Sequence, residues 1–435
     1  MNEAQRARAD RVRIALHHGP DRRALLRPMV RRPALVLALL TGLNLLNYID
    51  RFVLSAVLPR IEGEFGLAHG VAGLLGTLFL VGYFVTSPFF GVLADRGKRT
   101  GLLAIGIVVW SLATVASGLA AGVLSLGVAR VVVGVGEASY ATIAPTIIDD
   151  LAPAGKKSTW LAVFYSATPI GSALGYVTGG LVERSMGWRA AFFVAGGPGL
   201  LLGLACLVLV DPPRRDLARS GPLLATLRPL VRLPLYVRAV LGYAAFTFAV
   251  GGFAFWGPTY LFRRFGSMGL SLAKANIGMG AVSVVGGALG TALGGLWGDR
   301  ATRRAPPADS GGRVTALLRV CAIGSVVGAP FAAIAVLSPT PTAFLIALFA
   351  CDVAIFLSSS PINAAVLESV PPAIRASAMA LCIFGIHMLG DLWSPPGVGA
   401  LADHMPMRLA MLIIPLAILV SGLVWWPPAR RPAAS

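Results

Sequence analysis

The hexapeptide GVLADR at residues 91–96 returns three times along the chain, as GGLVER at 179–184, GLWGDR at 295–300 and GALADH at 399–404. Each copy keeps a leading glycine, an acid at the fifth position and a base at the sixth, and each closes a long apolar stretch. Working outward from these points divides the chain into apolar spans at about 34–60, 70–94, 100–121, 124–150, 158–183, 189–210, 235–262, 271–298, 314–337, 340–368, 372–401 and 405–427. Each is long enough to cross a ~30 Å hydrocarbon core as a helix. The repeats therefore end the second, fifth, eighth and eleventh spans, two on each side of a membrane. Two halves, each made of two inverted three-helix units, produce this spacing.

Composition agrees. Of 435 residues, 56% are hydrophobic and 13% charged, and the mean hydropathy is +0.77. A soluble chain carries roughly 25% charged residues. The apolar runs are helix-length and do not alternate in ten-residue segments, which excludes a β-barrel. The expected fold is an all-α polytopic membrane protein with twelve transmembrane helices in two six-helix bundles. The expected organisation is a basic cytoplasmic tail over 1–33, one bundle over 34–210, a Pro- and Arg-rich cytoplasmic linker over 211–234, a second bundle over 235–427, and a cytoplasmic tail over 428–435.

The formal net charge of +18 follows topology rather than nucleic-acid binding. Bases gather in the tail from Arg6 to Arg32, after Asp95, at Lys156 and Lys157, at Arg214 and Arg215, at Arg303 and Arg304, and at Arg430 and Arg431. These are alternate connections and both termini, as the positive-inside rule requires when both ends are cytoplasmic. Glu62, Glu64 and His69 follow the first span on the outer side; Arg263, Arg264 and Lys274 after the seventh are an exception to the rule. Residues 4–16 could form a basic amphipathic surface helix or a disordered tail. The tail lacks a short apolar core with a cleavage site, so it does not read as a secretory signal. Cys206, Cys321, Cys351 and Cys382 sit in apolar segments without ligand spacing, so neither a disulfide framework nor a metal is expected.

The fourth span, RVVVGVGEASYATIAPTIIDD over 130–150, holds the costliest group, Glu137. A carboxylate at membrane depth faces a protein interior or an aqueous cavity. Gly134 and Gly136 would let a neighbouring helix approach closely, with Ser139 and Thr142 bonding across that interface. The first span contributes Asn44, Asn47, Tyr48, Asp50 and Arg51. Successive residues differ by about 100° around a helix, so Asp50 and Arg51 point apart, whereas Asn44, Asn47 and Arg51 share a face. Arg51 is expected to enter the central cavity and pair with Glu137 or with an anionic head group; a purely structural ion pair is the alternative. Asp50, alternately buried and approached by Arg51 or Arg130, could carry a coupling proton, or could simply orient its helix.

At the cytoplasmic end, Asp95, Arg96 and Arg99 face Asp149 and Asp150 as a candidate latch that includes the start of the eleventh helix near Ala373, with Asp299 and Arg300 as its second-half equivalent. Surface pairs of about 0–1 kcal/mol suit a latch that opens in every cycle. Asp352, Glu368, His387 and Asp391 are the notable ionisable groups of the second half, and His387 and Asp391 stand i, i+4. The aromatic residues of the seventh span, from Phe246 to Tyr260, read as packing or as a path for an acyl chain.

GVLADRGKR at 91–99 resembles the signature loop of the major facilitator superfamily, and the resemblance covers nearly the whole chain. NYIDRFVLSAVLPRIE at 47–62, RVVVGVGEASYATIAPTIIDDL at 130–151 and HMLGDLWSP at 387–395 are similar to the Spinster family of lysolipid and sphingolipid transporters, in a bacterial-type member. Thr100 departs from the signature loop's second base. TPIGSALGYVTGG at 168–180 resembles an antiporter-associated motif that close packing alone would also produce. The resemblance implies proton-linked transport through Asp50 and Glu137, and a cavity lined by His387 and Asp391. Arg51, Asn47, Tyr48, Ser139 and Tyr140 complete the expected substrate site.

The expected function is alternating-access transport of a lysophospholipid or sphingolipid-like amphiphile, by a monomer in the inner (plasma) membrane. Its partners would be that lipid, protons and the bilayer, with no cofactor and no nucleic acid. A drug or organic-anion exporter is the alternative within the superfamily. A lipid-modifying membrane enzyme lacks a nucleophile–base pair or metal cluster here; a channel lacks a filter repeat; and an ATP-driven pump lacks a P-loop.

Overall fold

The computed structural model describes residues 33–153, 156–207, 209, 211, 230–303, 310–371 and 374–426. The expectations for the N-terminal tail, most of the linker, Ala373 and the C-terminal tail lie outside the described residues, as do the side chains of Asp95 and Arg96.

The first half consists of α1 (Pro33–Phe65), α2 (His69–Arg96), α3 (Arg99–Gly118), α4 (Val123–Leu151), α5 (Lys157–Met186) and α6 (Trp188–Cys206). The second half begins with α7 (Pro234–Phe265), α8 (Leu272–Arg303) and α9 (Ser310–Leu337). Its last three spans are each broken. The tenth is α10 (Pro341–Phe356) and α11 (Ser359–Glu368), the eleventh is α12 (Arg375–Ile386) and α13 (Ser394–His404), and the twelfth is α14 (Met407–Ala410) and α15 (Ile413–Trp425). Among the described residues, eleven spans are long and apolar enough to cross a membrane. The remaining span, the fifth (α5), is 30 residues long, and its many small and hydroxylated residues make it less apolar.

The helices overrun the apolar limits because polar ends continue them; α1 keeps Glu62 and Glu64 within its 33 residues. Left-handed glycines punctuate the joints at Gly66 (φ 62°), Gly187 (φ 83°) and Gly269 (φ 82°), where a side chain would be strained. The near end of the molecule is where α1 begins, and the far end is where α1 finishes.

Helices packed this closely need small residues. A Cβ on Gly134 would lie 2.1 Å from Phe79 O of α2, and one on Gly136 would lie 2.6 Å from Gly106 O of α3, so α4 is wedged between these two. Gly171 and Gly175 of the 168–180 motif meet Leu45 O and Ile49 O of α1, which is the packing reading of that motif. The aromatic α7 is packed likewise, with Phe246, Phe253, Phe255, Trp256 and Tyr260 all buried.

The halves meet through α2 with α13 and α5 with α8. A Cβ on Gly73 would lie 2.3 Å from Pro395 O, and one on Gly399 would lie 2.3 Å from His69 O. The hydrogen bonds described between the halves lie between the far end and mid-membrane. Ser55 donates to Ala254 O (2.8 Å) and Phe255 O (2.5 Å), Tyr176 to Ala254 O (2.5 Å), Asn276 to Ala56 O (3.0 Å) and Thr77 to Leu392 O (2.7 Å).

Candidate functional site

The 100° step between Asp50 and Arg51 sends them into different neighbourhoods. Arg51 Nε lies 2.6 Å from Glu137 Oε2, joining α1 to α4. Glu137 is fully buried, whereas the Arg51 side chain keeps 22% exposure. Its guanidinium lies over Tyr48, Phe79 and Tyr83, at 5.1, 4.8 and 5.2 Å from the ring centroids. These rings hold the cation while giving it less competing hydrogen bonding than water would. Glu137 Oε1 and Asn47 Nδ2 are buried without a hydrogen-bond partner among the described residues.

Behind this pair lies a second one. Asp50 accepts from Thr114 Oγ1 at 2.6 Å and faces Arg130 Nη1 at 3.5 Å, with Asp50 and Arg130 both 1% exposed. Phe79 separates the two pairs: Arg51 lies over its ring and Arg130 stands 5.4 Å from the same centroid. Sequence reasoning missed Phe79, Thr114 and Tyr83. Arginine on an aromatic face carries no spacing signal between distant helices.

Ser139 and Tyr140 are placed elsewhere. Ser139 donates to Gly136 O (2.9 Å) and Thr142 to Ala138 O (2.7 Å), so neither bonds across the interface as expected. Both hydroxyls bond to carbonyls of their own helix, three and four residues back. Tyr140 is buried against Trp110 and Phe164, and its hydroxyl donates to Leu40 O. Asn44 donates to Phe164 O at 3.0 Å, away from Arg51.

In the second half, residues 387–391 form a π-turn between α12 and α13. His387 Nδ1 lies 2.8 and 2.9 Å from the two Asp391 oxygens, and both side chains are half-buried. Phe84 of α2 lies 5.2 Å from the His387 ring and 5.5 Å from Tyr83. A run of rings thus joins the Arg51 wall to the His387 wall. Asp352, 8% exposed beside Gly286, has no ion-pair partner among the described residues.

At the near end, Arg99 is buried and binds Asp150 (2.6 Å) and Asp211 (3.0 Å). Asp149 instead pairs with Lys157 at 2.7 Å. The adjacent aspartates therefore serve different partners, and the linker residue Asp211 was not foreseen. None of these described pairs reaches a helix of the second half. Asp299 and Arg300 are exposed and make their described hydrogen bonds within α8, and no ion pair of theirs is found among the described residues.

The far end holds a network that sequence reasoning treated as loop charge. Glu62 is 3% exposed and binds His69 Nδ1 (2.7 Å) of its own half and Arg263 Nη2 (2.8 Å) of the other. Asp403 accepts from the backbone N–H of His69 (2.7 Å) and of Gly70 (2.9 Å). Arg60 binds Glu183 at 2.5 Å and Arg189 binds Glu64 at 2.7 Å. Arg263, an exception to the charge rule, is thus a bridge between halves.

Residues 40–390 match the model of the Major Facilitator Superfamily. Protein spinster homolog 1 of Bos taurus is 37% identical over 395 residues, covering 86% of this chain and 73% of that protein. The probable sphingolipid transporter spinster homolog 2 of Arabidopsis thaliana is 32% identical, covering 90% of this chain and 86% of that one. A solved bacterial homologue of the human lysosomal transporter Spinster, inward-facing and unoccupied, shares the fold with a TM-score of 0.80 at 22% identity, over 92% of this chain and 97% of that one. A D-xylose–proton symporter shares it at 0.72 and 18% identity, over 90% and 96%. With its paired inverted repeats and its residues 40–390 matched, the chain belongs to the Spinster family of the Major Facilitator Superfamily.

Proposed function

We propose that this transporter moves a single-chain amphiphile, a lysophospholipid or a sphingolipid-like molecule, across the inner membrane by proton-coupled alternating access. The observation that carries this reading is the Arg51–Glu137 pair: a fully buried carboxylate bound to a partly exposed guanidinium at 2.6 Å. Arg51 can exchange Glu137 for a phosphate or carboxylate head group, because a guanidinium binds either anion with the same fork of N–H donors. Glu137, left without its counter-ion in a dry site, then takes up a proton. Anion binding and proton binding are linked by one shared cation. Asp50, held by Arg130 and Thr114 behind Phe79, is the second proton-carrying carboxylate.

The described aromatic run from Tyr83 through Phe84 to His387 gives the acyl chain an apolar wall, and His387 with Asp391 supplies polar contacts from the opposite half. We place the near end in the cytoplasm from the distribution of bases, with both termini there, and read the two halves as the units that rock, with a monomer as the working state. Far-end closure through Glu62 and Asp403 is then one limit of the cycle.

Transport of a labelled lysolipid panel into proteoliposomes, with and without a pH gradient, tests this. Flux of at least one lysolipid that rises with the gradient is expected. Transport of sugars or organic anions with no lysolipid flux would overturn the substrate class, and gradient-independent lysolipid flux would overturn the coupling. Named by its substrates, the second reading is a drug or organic-anion exporter, favoured by the same Arg51.

A further inference from the structure

At the far end, a cavity of about 430 Å³ opens where the halves meet, lined by four bases: His69 of α2, Arg263 and Arg264 of α7, and Arg408 of α14. Its lining holds no acid, and its apolar part includes Met405 and Met407. The nearby carboxylates are turned to other tasks. Glu62 holds His69 and Arg263, and Asp403 holds two backbone N–H groups. Among the described residues, Arg264 donates to a neutral carbonyl, Ser338 O, at 3.2 and 3.4 Å, and to no carboxylate, and Arg408 is exposed. With the near end cytoplasmic, these bases stand on the side where topology disfavours them, so topogenesis does not account for the cluster.

We propose that this cavity is a second site, distinct from the one around Arg51, for the phosphate-ester head group of an amphiphile. Arg264 and Arg408 supply charge-assisted hydrogen bonds to the phosphate oxygens. The first carbons of the chain lie along Met405 and Met407, whose flexible thioethers fit an irregular apolar partner. Arg263 is shared: it lines the cavity and also bridges to Glu62. Occupancy draws it from Glu62 and weakens a contact between the halves, so the far-side ligand favours opening at that end.

Equilibrium binding to the full chain in neutral detergent tests this with a fluorescent lysophosphatidate and a monoacylglycerol carrying the same label and chain. The Arg264→Gln/Arg408→Gln variant should bind the lysophosphatidate about tenfold more weakly and the monoacylglycerol unchanged. Raising the salt concentration should erode only the phosphate-dependent part. Glu62→Gln, which frees Arg263, should strengthen lysophosphatidate binding several-fold. Arg51→Gln should leave this phase in place.

Equal losses for both ligands, or no loss in the double variant, would overturn the site. Disappearance of the phase in Arg51→Gln would assign it to the central cavity instead. Displacement by inorganic phosphate as effective as by the ester would make it a free-anion site and overturn the amphiphile. Weaker binding in Glu62→Gln would overturn the sharing of Arg263. Both arginines can be replaced without touching a packed core, and binding is read without transport, so failure of the transport reading leaves this result standing.

Discussion

Arg51 and Glu137 hold each other where either alone would be costly. Removing one partner of a buried pair leaves an uncompensated charge and costs about 3–5 kcal/mol, whereas replacing both with apolar residues is often neutral. Arg51→Met should therefore lower thermal stability clearly, and Arg51→Met combined with Glu137→Leu should recover most of the loss while abolishing transport. A double variant no more stable than the single would show that the pair is not coupled. For coupling, Glu137→Gln should lose gradient-driven flux, and retention of full pH dependence would exclude Glu137. Asp50→Asn should lose it too; gradient-driven uptake left intact would remove Asp50 from the mechanism. The pair could be anticipated because Asp50 and Arg51 stand about 100° apart on their helix and cannot serve one partner, and because a mid-helix carboxylate needs a counter-ion. Ser139 and Tyr140 were misplaced for the complementary reason. Sequence fixes the angle between residues on one helix but not which neighbour each face meets, and α4 meets α1, α2 and α3 at once. Buried Glu62 read as a loop charge because nothing local reveals a partner 201 positions away.

Element by element, the twelve spans were legible from apolar run length, and their ends were not, since polar residues such as Glu62 and Arg303 extend helices past the apolar core. Of the breaks in the last three spans, the eleventh carried a signal in Pro395–Pro396 and the tenth in the serines and proline of 358–361, whereas the twelfth, at 411–412, falls inside an apolar run. Glycine positions were more informative. Gly134→Ala should destabilise the chain by about 2 kcal/mol or more, because its Cβ would meet backbone atoms of α2, Phe79 O at 2.1 Å and Tyr83 N at 2.8 Å, which cannot rotate away. Gly197→Ala on α6, with nothing within 4 Å, should be neutral or stabilising by up to about 1 kcal/mol. Thermal unfolding of the purified variants followed by intrinsic fluorescence compares them, and equal shifts would refute the close α2–α4 packing.

For the whole molecule, the repeats and the distribution of bases made the two-half plan readable in advance, while the closure between halves was not, because it depends on residues far apart in sequence. Glu62 ties α1 to α2 and α7, so Glu62→Gln should shift the population toward states open at the far end. Loss of a partly exposed pair worth about 1–2 kcal/mol changes that equilibrium by roughly 5- to 30-fold. Spin labels at Ser185→Cys and Lys274→Cys, at the far ends of α5 and α8, should then report a longer distance population. Background labelling is low because all four native cysteines are buried. An unchanged distribution would remove Glu62 from the closure. The π-turn adds something to this motion. Leu392 N bonds to His387 O, five residues back, and Thr247 of α7 donates to Ile386 O at 2.8 Å, while a Cβ on Gly390 would lie 2.5 Å from Ala244 O. The eleventh span is therefore articulated at a fulcrum clamped to α7. Its far arm can stay docked on α2 while its near arm swings, so the near-end opening can widen and narrow without the whole half-molecule having to turn.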